Sequence, residues 1–187
     1  MNQIHQAELL EKQAGDLRNN GQGLAAVEKY KQAAALFLEA GEKQRAAECW
    51  HMVGVSYKVE NDIDAAIETL EKAAQLHYET GNEAGVGRVY RDIGIAYAYR
   101  KEHDKAIEWL EKSEEALRGS GADAELGITE SKIGLHYLEV QDYDKAEQWL
   151  DRGLATIRKE GHWFYEMTAL LHLAALRLVR EQHSEAI

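Results

Sequence analysis

The sequence predicts an all-α fold, a tandem array of antiparallel helix pairs with about nine helices in all. Three observations predict it. Proline is absent from all 187 residues while Ala, Leu, Glu, Lys and Gln are plentiful, so helix breakers are missing and helix formers abound. Apolar residues recur at i, i+3 and i+4, the spacing that paints one stripe along a helix. Finally, the same residue types return every 40 positions.

That step carries Gly54 to Gly94 to Gly134, Tyr57 to Tyr97 to Tyr137, Leu70 to Leu110 to Leu150, and Ala66 through Ala106 and Ala146 to Ala186. A second series, Gly41, Gly81, Gly121 and Gly161, follows the amphipathic runs, where a left-handed residue ends a helix. One step before Gly54 stands Ala14, with Leu17, Ala26, Tyr30 and Ala33 in the places of Tyr57, Ala66, Leu70 and Ala73.

The elements follow in order, with ends set to within about two to four residues. The first pair spans 3–20, holding Ala14 and Leu17, and 23–40, holding Ala26, Tyr30 and Ala33 up to Gly41. The second spans 42–60, with the stripe Trp50, Val53, Gly54 and Tyr57, and 63–80, with Ala66, Leu70 and Ala73. The third spans 82–101, around Tyr90, Ile93, Gly94 and Tyr97, and 104–119, around Ala106, Leu110 and Ser113. The fourth spans 122–141, around Ile133, Gly134 and Tyr137, and 143–160, around Ala146, Leu150 and Gly153. A ninth helix spans 162–182, with Leu170, Leu173 and Ala174. Within the pairs, Asn61–Asp62, His103–Asp104 and Gln141–Asp142 supply turn and capping chemistry for the second helix. The whole reads as a single array, with repeats at 7–46, 47–86, 87–126 and 127–166 and an incomplete fifth at 167–187, whose second helix begins at Ser184–Ile187.

Charge narrows the partners. The 33 acidic and 22 basic residues leave a net charge of −11, which repels phosphate backbones and anionic lipid, so neither nucleic acid nor a membrane is expected as a partner. Cys49 stands alone and cannot form an internal disulfide, and the first residues lack the apolar stretch of a secretory signal; both favour a cytoplasmic setting. No run reaches the roughly 18 to 20 apolar residues of a membrane span, although Met167–Val179 is locally very hydrophobic.

Trp50-x2-Val53-Gly54-x2-Tyr57 followed by Ala66-x3-Leu70-x2-Ala73 resembles the tetratricopeptide repeat pattern. The resemblance returns in register at Tyr90, Ile93, Gly94, Tyr97, Ala106 and Leu110, and again at Ile133, Gly134, Tyr137, Ala146 and Leu150, covering almost the whole chain. Two departures are the 40-residue period, against about 34 in the common unit, and the missing closing proline. Units of this length are similar to those of kinesin light chains, Gly-Leu-rich polarity adaptors and bacterial peptide-sensing regulators. The resemblance implies a right-handed superhelix, or α-solenoid, whose first helices line a concave face that receives a protein or peptide, a scaffold rather than an enzyme. Small residues at 14, 54, 94, 134 and 174 let helix pairs approach closely, so Gly94→Leu is expected to disrupt the stack.

On that face the expected ligand contacts are Arg88, Arg91, Ile95 and Tyr99, flanked by Glu48, His51, Val55 and Lys58 and by Ile128, Ser131, Leu135 and Leu138. The arginines suit an acidic peptide, unless Glu48 or other acids neutralise them. The carboxylate grip of some chaperone adaptors is not supported, because Glu11, Lys12, Gly15, His51, Met52 and Val55 occupy its places. A second surface is the apolar last helix, with Trp163, Leu171, Leu178 and Val179 as its association residues; further repeats in a longer parent chain, a homodimer, or a docked partner would each cover it. No catalytic constellation, cofactor motif or metal-ligand spacing stands out. His103 and His183 recur two repeats apart, Cys49 falls in a packing column, Gly85-Val86-Gly87 lies at a helix start with no preceding strand, and the tryptophans occupy or adjoin repeat positions.

Overall fold

A computed structural model describes residues 2–185 of the protein. Among the described residues the chain forms nine helices: α1 (Gln3–Asn19), α2 (Gly23–Glu39), α3 (Lys43–Val59), α4 (Ile63–Glu79), α5 (Glu83–Tyr99), α6 (His103–Leu117), α7 (Asp123–Glu139), α8 (Tyr143–Glu160) and α9 (Trp163–Glu185). Each packs on its sequence neighbours, and lighter contacts join α3 to α5 and α7 to α9, the arrangement of a solenoid of antiparallel pairs.

Left-handed residues punctuate the chain every 20 positions, at Gly21, Gly41, Asn61, Gly81, Lys101, Gly121, Gln141 and Gly161. They close helix ends by the double hydrogen bond that returns a turn onto the last carbonyls: Glu42 N–H donates to Phe37 C=O at 2.8 Å and Gly41 N–H to Leu38 C=O at 3.1 Å. Asp62 and Asp142 then cap the next helices, accepting from Ala65 N–H at 3.3 Å and Lys145 N–H at 3.2 Å. The third pair departs from expectation. Its turn is Lys101–Glu102, and His103 is already the first residue of α6, which ends at Leu117 because Arg118 is extended and Gly119 takes a left-handed φ of 79°.

The glycine stripe works through contact. A Cβ at Gly134 would stand 2.9 Å from Leu150 N and 3.0 Å from Ala146 O, so α7 rests directly on the backbone of α8. The core runs down the stack from Ala14, Ala26 and Phe37 through Leu70 and Ile93 to Leu150, Ile157 and Leu176. Ala174 holds the equivalent position in α9 but is exposed, since no described helix packs on that side. A turn before a further helix at Ser184 is not formed: α9 continues as one helix through Glu185, while Ala186 and Ile187 lie outside the described residues. Leu173 and Leu176 face the core, whereas Trp163, Leu171 and Leu178 are 71%, 69% and 58% exposed and Val179 is half-buried. None of the described helices is long and apolar enough to cross a membrane.

Candidate functional site

The first helices of the second, third and fourth pairs, α3, α5 and α7, carry the predicted contact stripe, and the structure divides it into two unlike halves. Toward the N-terminus the charges are matched internally. Arg88 Nη2 lies 3.5 Å from Glu48 Oε1, a half-exposed pair of small worth. His51 Nε2 lies 2.8 Å from Asp92 Oδ2, and Lys58 donates to the other carboxylate oxygen. Burial alone would raise the Asp92 pKa, but the His51 hydrogen bond and the Lys58 charge hold it well below the usual carboxylate range. His51 is therefore buried and engaged, not open to a ligand. Val55, Ile95, Leu135 and Leu138 are half-buried along the row, and Tyr99 projects at 63% exposure.

The C-terminal half is different. A cavity of about 390 Å³ lies where α7 and α9 run side by side, reached by Arg91 from α5 and walled by Ile157 from α8. Ile128, Ser131 and Lys132 line it from α7, and Phe164, Tyr165 and His172 from α9. Three buried polar atoms at its walls have no hydrogen-bond partner among the described residues: Arg91 Nη1, Ser131 Oγ and His172 Nδ1. Ser131 is only 7% exposed, so its hydroxyl has no ready access to bulk water. Burial lowers the Lys132 pKa and the Arg91 charge adds to the effect; burial and the Lys132 charge lower that of His172.

The scaffold under the cavity is rigid. Gly153 of α8 presses against α7 at Ser131, where a Cβ would meet Ser131 N at 2.7 Å and Gly127 O at 2.8 Å. Next to Ser131 in the chain, the buried Glu130 receives Arg152 Nε at 2.6 Å and the Thr156 hydroxyl at 2.9 Å, and Arg152 also donates to Glu114 of α6. These bonds fix the rotation of α7 and hence the direction of Ser131 and Lys132.

Of the predicted residues, Arg91, Ile128 and Ser131 meet at the cavity, while Glu48, His51, Lys58 and Arg88 spend their charges on internal pairs. Lys132, His172, Asp92 and the α9 aromatics were not singled out by the stripe. The signal for three of them was present, since Asp92, Lys132 and His172 stand 40 residues apart in one column, next to the column of Arg91 and Ser131. Cys49 is buried, and burial, with the Glu11 charge, pushes its thiol up to about 12, which keeps it from acting as a nucleophile.

An array of antiparallel helix pairs packed in sequence is an α-helical solenoid, here with a cavity between α7 and α9 that is mainly apolar and carries a few polar groups. Residues 50–119 match the tetratricopeptide repeat model, and the helices of the described residues form a tetratricopeptide-like solenoid. Aspartyl phosphate phosphatase F from Bacillus subtilis superposes with a TM-score of 0.90 at 16% identity, over 100% of this chain and 49% of that one. A Rap protein complexed with competence and sporulation factor gives 0.77 at 17% identity, over 95% of this chain and 48% of its own. The nearly identical repeats of a putative kinesin light chain from Podospora anserina give 0.75 at 17% identity, over 100% of this chain and 92% of theirs. The chain thus spans about half the length of the two bacterial relatives, and at these identities the likeness is one of fold. No curated protein sequence matches it.

Proposed function

We infer that the chain is a non-catalytic binding module that receives an extended segment of a protein or peptide along its inner face. The observation that carries this reading is the α7–α9 cavity, where buried polar atoms converge without partners of their own, as in a site whose hydrogen bonds are completed by a ligand. Tetratricopeptide repeats bind proteins and peptides in this way, and the Rap protein of similar fold was solved with competence and sporulation factor. The test is selection of binders from a displayed random-peptide library. Selected peptides should lose binding to Ile95→Glu and Leu135→Glu variants, which charge the row outside the cavity. Peptides indifferent to both would refute the groove.

The exposed Trp163, Leu171 and Leu178 of α9 favour a second reading, self-association through that helix. Light scattering across a concentration series decides it: a dimer lost on Leu171→Glu supports the reading, and a concentration-independent monomer removes it.

A further inference from the structure

The strongest unexplained feature of the molecule is a pair of cations without anions in a chain of net charge −11. Among the described residues, neither Arg91 nor Lys132 has a carboxylate within ion-pair distance. Of the other half-buried cations, Lys58 has Asp92, Arg88 has Glu48, and Arg45 has Glu8 and Glu11, while Arg18 reaches Met52 Sδ instead. Asp92 acts on Lys132 through space, but its two oxygens are already taken by His51 and Lys58. With acids in excess, two adjacent cations left unpaired in a half-buried cavity mark a place for an anion from outside.

The neutral groups narrow its chemistry. The Ser131 hydroxyl and Arg91 Nη1 offer donors at the same wall, as does His172 Nδ1 in the tautomer that carries its proton there, while Ile128, Ile157 and Phe164 supply an apolar wall. A small planar anion with two acceptor oxygens fits the donors, and an aliphatic group attached to it fits the apolar wall. A free phosphate would bring no aliphatic group to set against Ile128, Ile157 and Phe164.

We propose that the α7–α9 cavity anchors a peptide by a carboxylate that neighbours an apolar side chain, with Arg91 and Lys132 as the charge partners and Ser131 and His172 completing the hydrogen bonds. The proposal rests on the groove reading above and specifies its anchor. Two sources share this chemistry, a chain terminus and an Asp or Glu side chain.

Methyl NMR of Ile128 and Ile157 separates them with three probes: N-acetyl-leucine, which has a free carboxylate; N-acetyl-leucine amide, which has none; and acetyl-leucyl-aspartyl amide, whose only carboxylate is on a side chain. At least one carboxylate probe should shift both isoleucines and bind about tenfold or more tightly than the amide, as expected for charge-assisted bonds. Which one does so identifies the source. Lys132→Met and Arg91→Gln should each remove that preference, and the comparison on the unsubstituted chain stands even if a variant misfolds. Equal binding of all three probes, or no shift with any, overturns the proposal. If that happens while library peptides still bind and still lose binding to Ile95→Glu, the groove reading survives and only the anchor fails.

Discussion

Replacing Gly153 by alanine adds one methyl group at the tightest helix contact next to the cavity. Its Cβ would stand 2.5 Å from Ser131 Oγ, 2.7 Å from Ser131 N and 2.8 Å from Gly127 O. Two of those three atoms are backbone, so no side-chain rotation relieves the clash, and α7 must move away from α8. Overpacking of this kind costs about 1–3 kcal/mol, and a backbone clash belongs at the upper end. Alanine in a helix interior offsets about 1 kcal/mol of that by its propensity. The net expectation for Gly153→Ala is a loss of about 2 kcal/mol. Gly54→Ala is the control: its Cβ would meet Leu70 Cγ at 2.5 Å and Cδ2 at 2.7 Å, both side-chain atoms, with the nearest backbone atom, Ala66 O, at 3.2 Å. Leu70 is fully buried and has to shift, so part of the overpacking cost remains after the helix gain, and a loss of about 1 kcal/mol, smaller than at Gly153, is expected. Urea unfolding followed by far-ultraviolet circular dichroism measures both. A Gly153→Ala variant as stable as the parent, or a Gly54→Ala variant that loses more, would refute the reasoning.

Four further outcomes follow from the structure. His136 is held near pKa 4 by burial, helped by the His103, Lys132 and His172 charges, against 6.5 for the free side chain. The unfolded chain therefore takes up the extra proton between these values, and stability falls as pH drops from about 6.5 to 4; urea midpoints should show roughly 3 kcal/mol of this loss in the parent and not in His136→Gln. Lys101 holds a left-handed φ of 60° that a side chain disfavours, so Lys101→Gly should stabilise by about 1 kcal/mol in the same assay. Asp92→Asn strands Lys58 and His51 and should cost about 3–5 kcal/mol, part of it recovered in a double variant with Lys58→Met, as read by thermal melting. Cys49 should react with a thiol reagent only as fast as the chain opens, so its labelling rate should rise with sub-denaturing urea; fast labelling in native buffer would contradict its burial.

The solenoid was legible in the sequence because its packing rule acts on every unit: Gly54, Gly94 and Gly134 meet Leu70, Leu110 and Leu150 in the same way, so one contact is written three times. Local exceptions were not repeated and were harder to read. His103–Asp104 resembles the Asn61–Asp62 and Gln141–Asp142 turns in composition, yet the left-handed residue falls on Lys101, one 40-step from Asn61, and Glu102 precedes α6 without a side-chain cap. The register was a better guide than the residue type. The same holds for the candidate site. Tracing one column of each first helix gave Arg91 and Ser131 but left out Lys132 and His172, which stand in the adjacent column on the same inner face. What no column reveals is which charges are spent, because Arg88 and Arg91 look alike until Glu48 is found beside one and, among the described residues, no carboxylate within ion-pair distance of the other.

The unpaired groups beside α9 have an energetic consequence for that helix. A buried polar atom without a partner costs about 1–3 kcal/mol, and three such atoms gather at one cavity, while Glu48, His51, Lys58, Arg88 and Asp92 pair among themselves between α3 and α5. Helix α9 packs mainly on α8, with a lighter contact to α7, and a large part of its apolar surface is exposed. It is thus the least supported of the nine helices in packing and sits beside the least satisfied polar groups. A ligand that joins Arg91 of α5, Lys132 of α7 and His172 of α9 supplies the missing partners and cross-links α9 to the body of the stack, and binding to the folded form alone stabilises it by mass action. Amide hydrogen exchange should therefore show protection rising on a selected peptide most in α9 and the facing turn of α7, and little in α1 to α4. Protection spread evenly over all helices, or absent from α9, would place the peptide elsewhere on the solenoid.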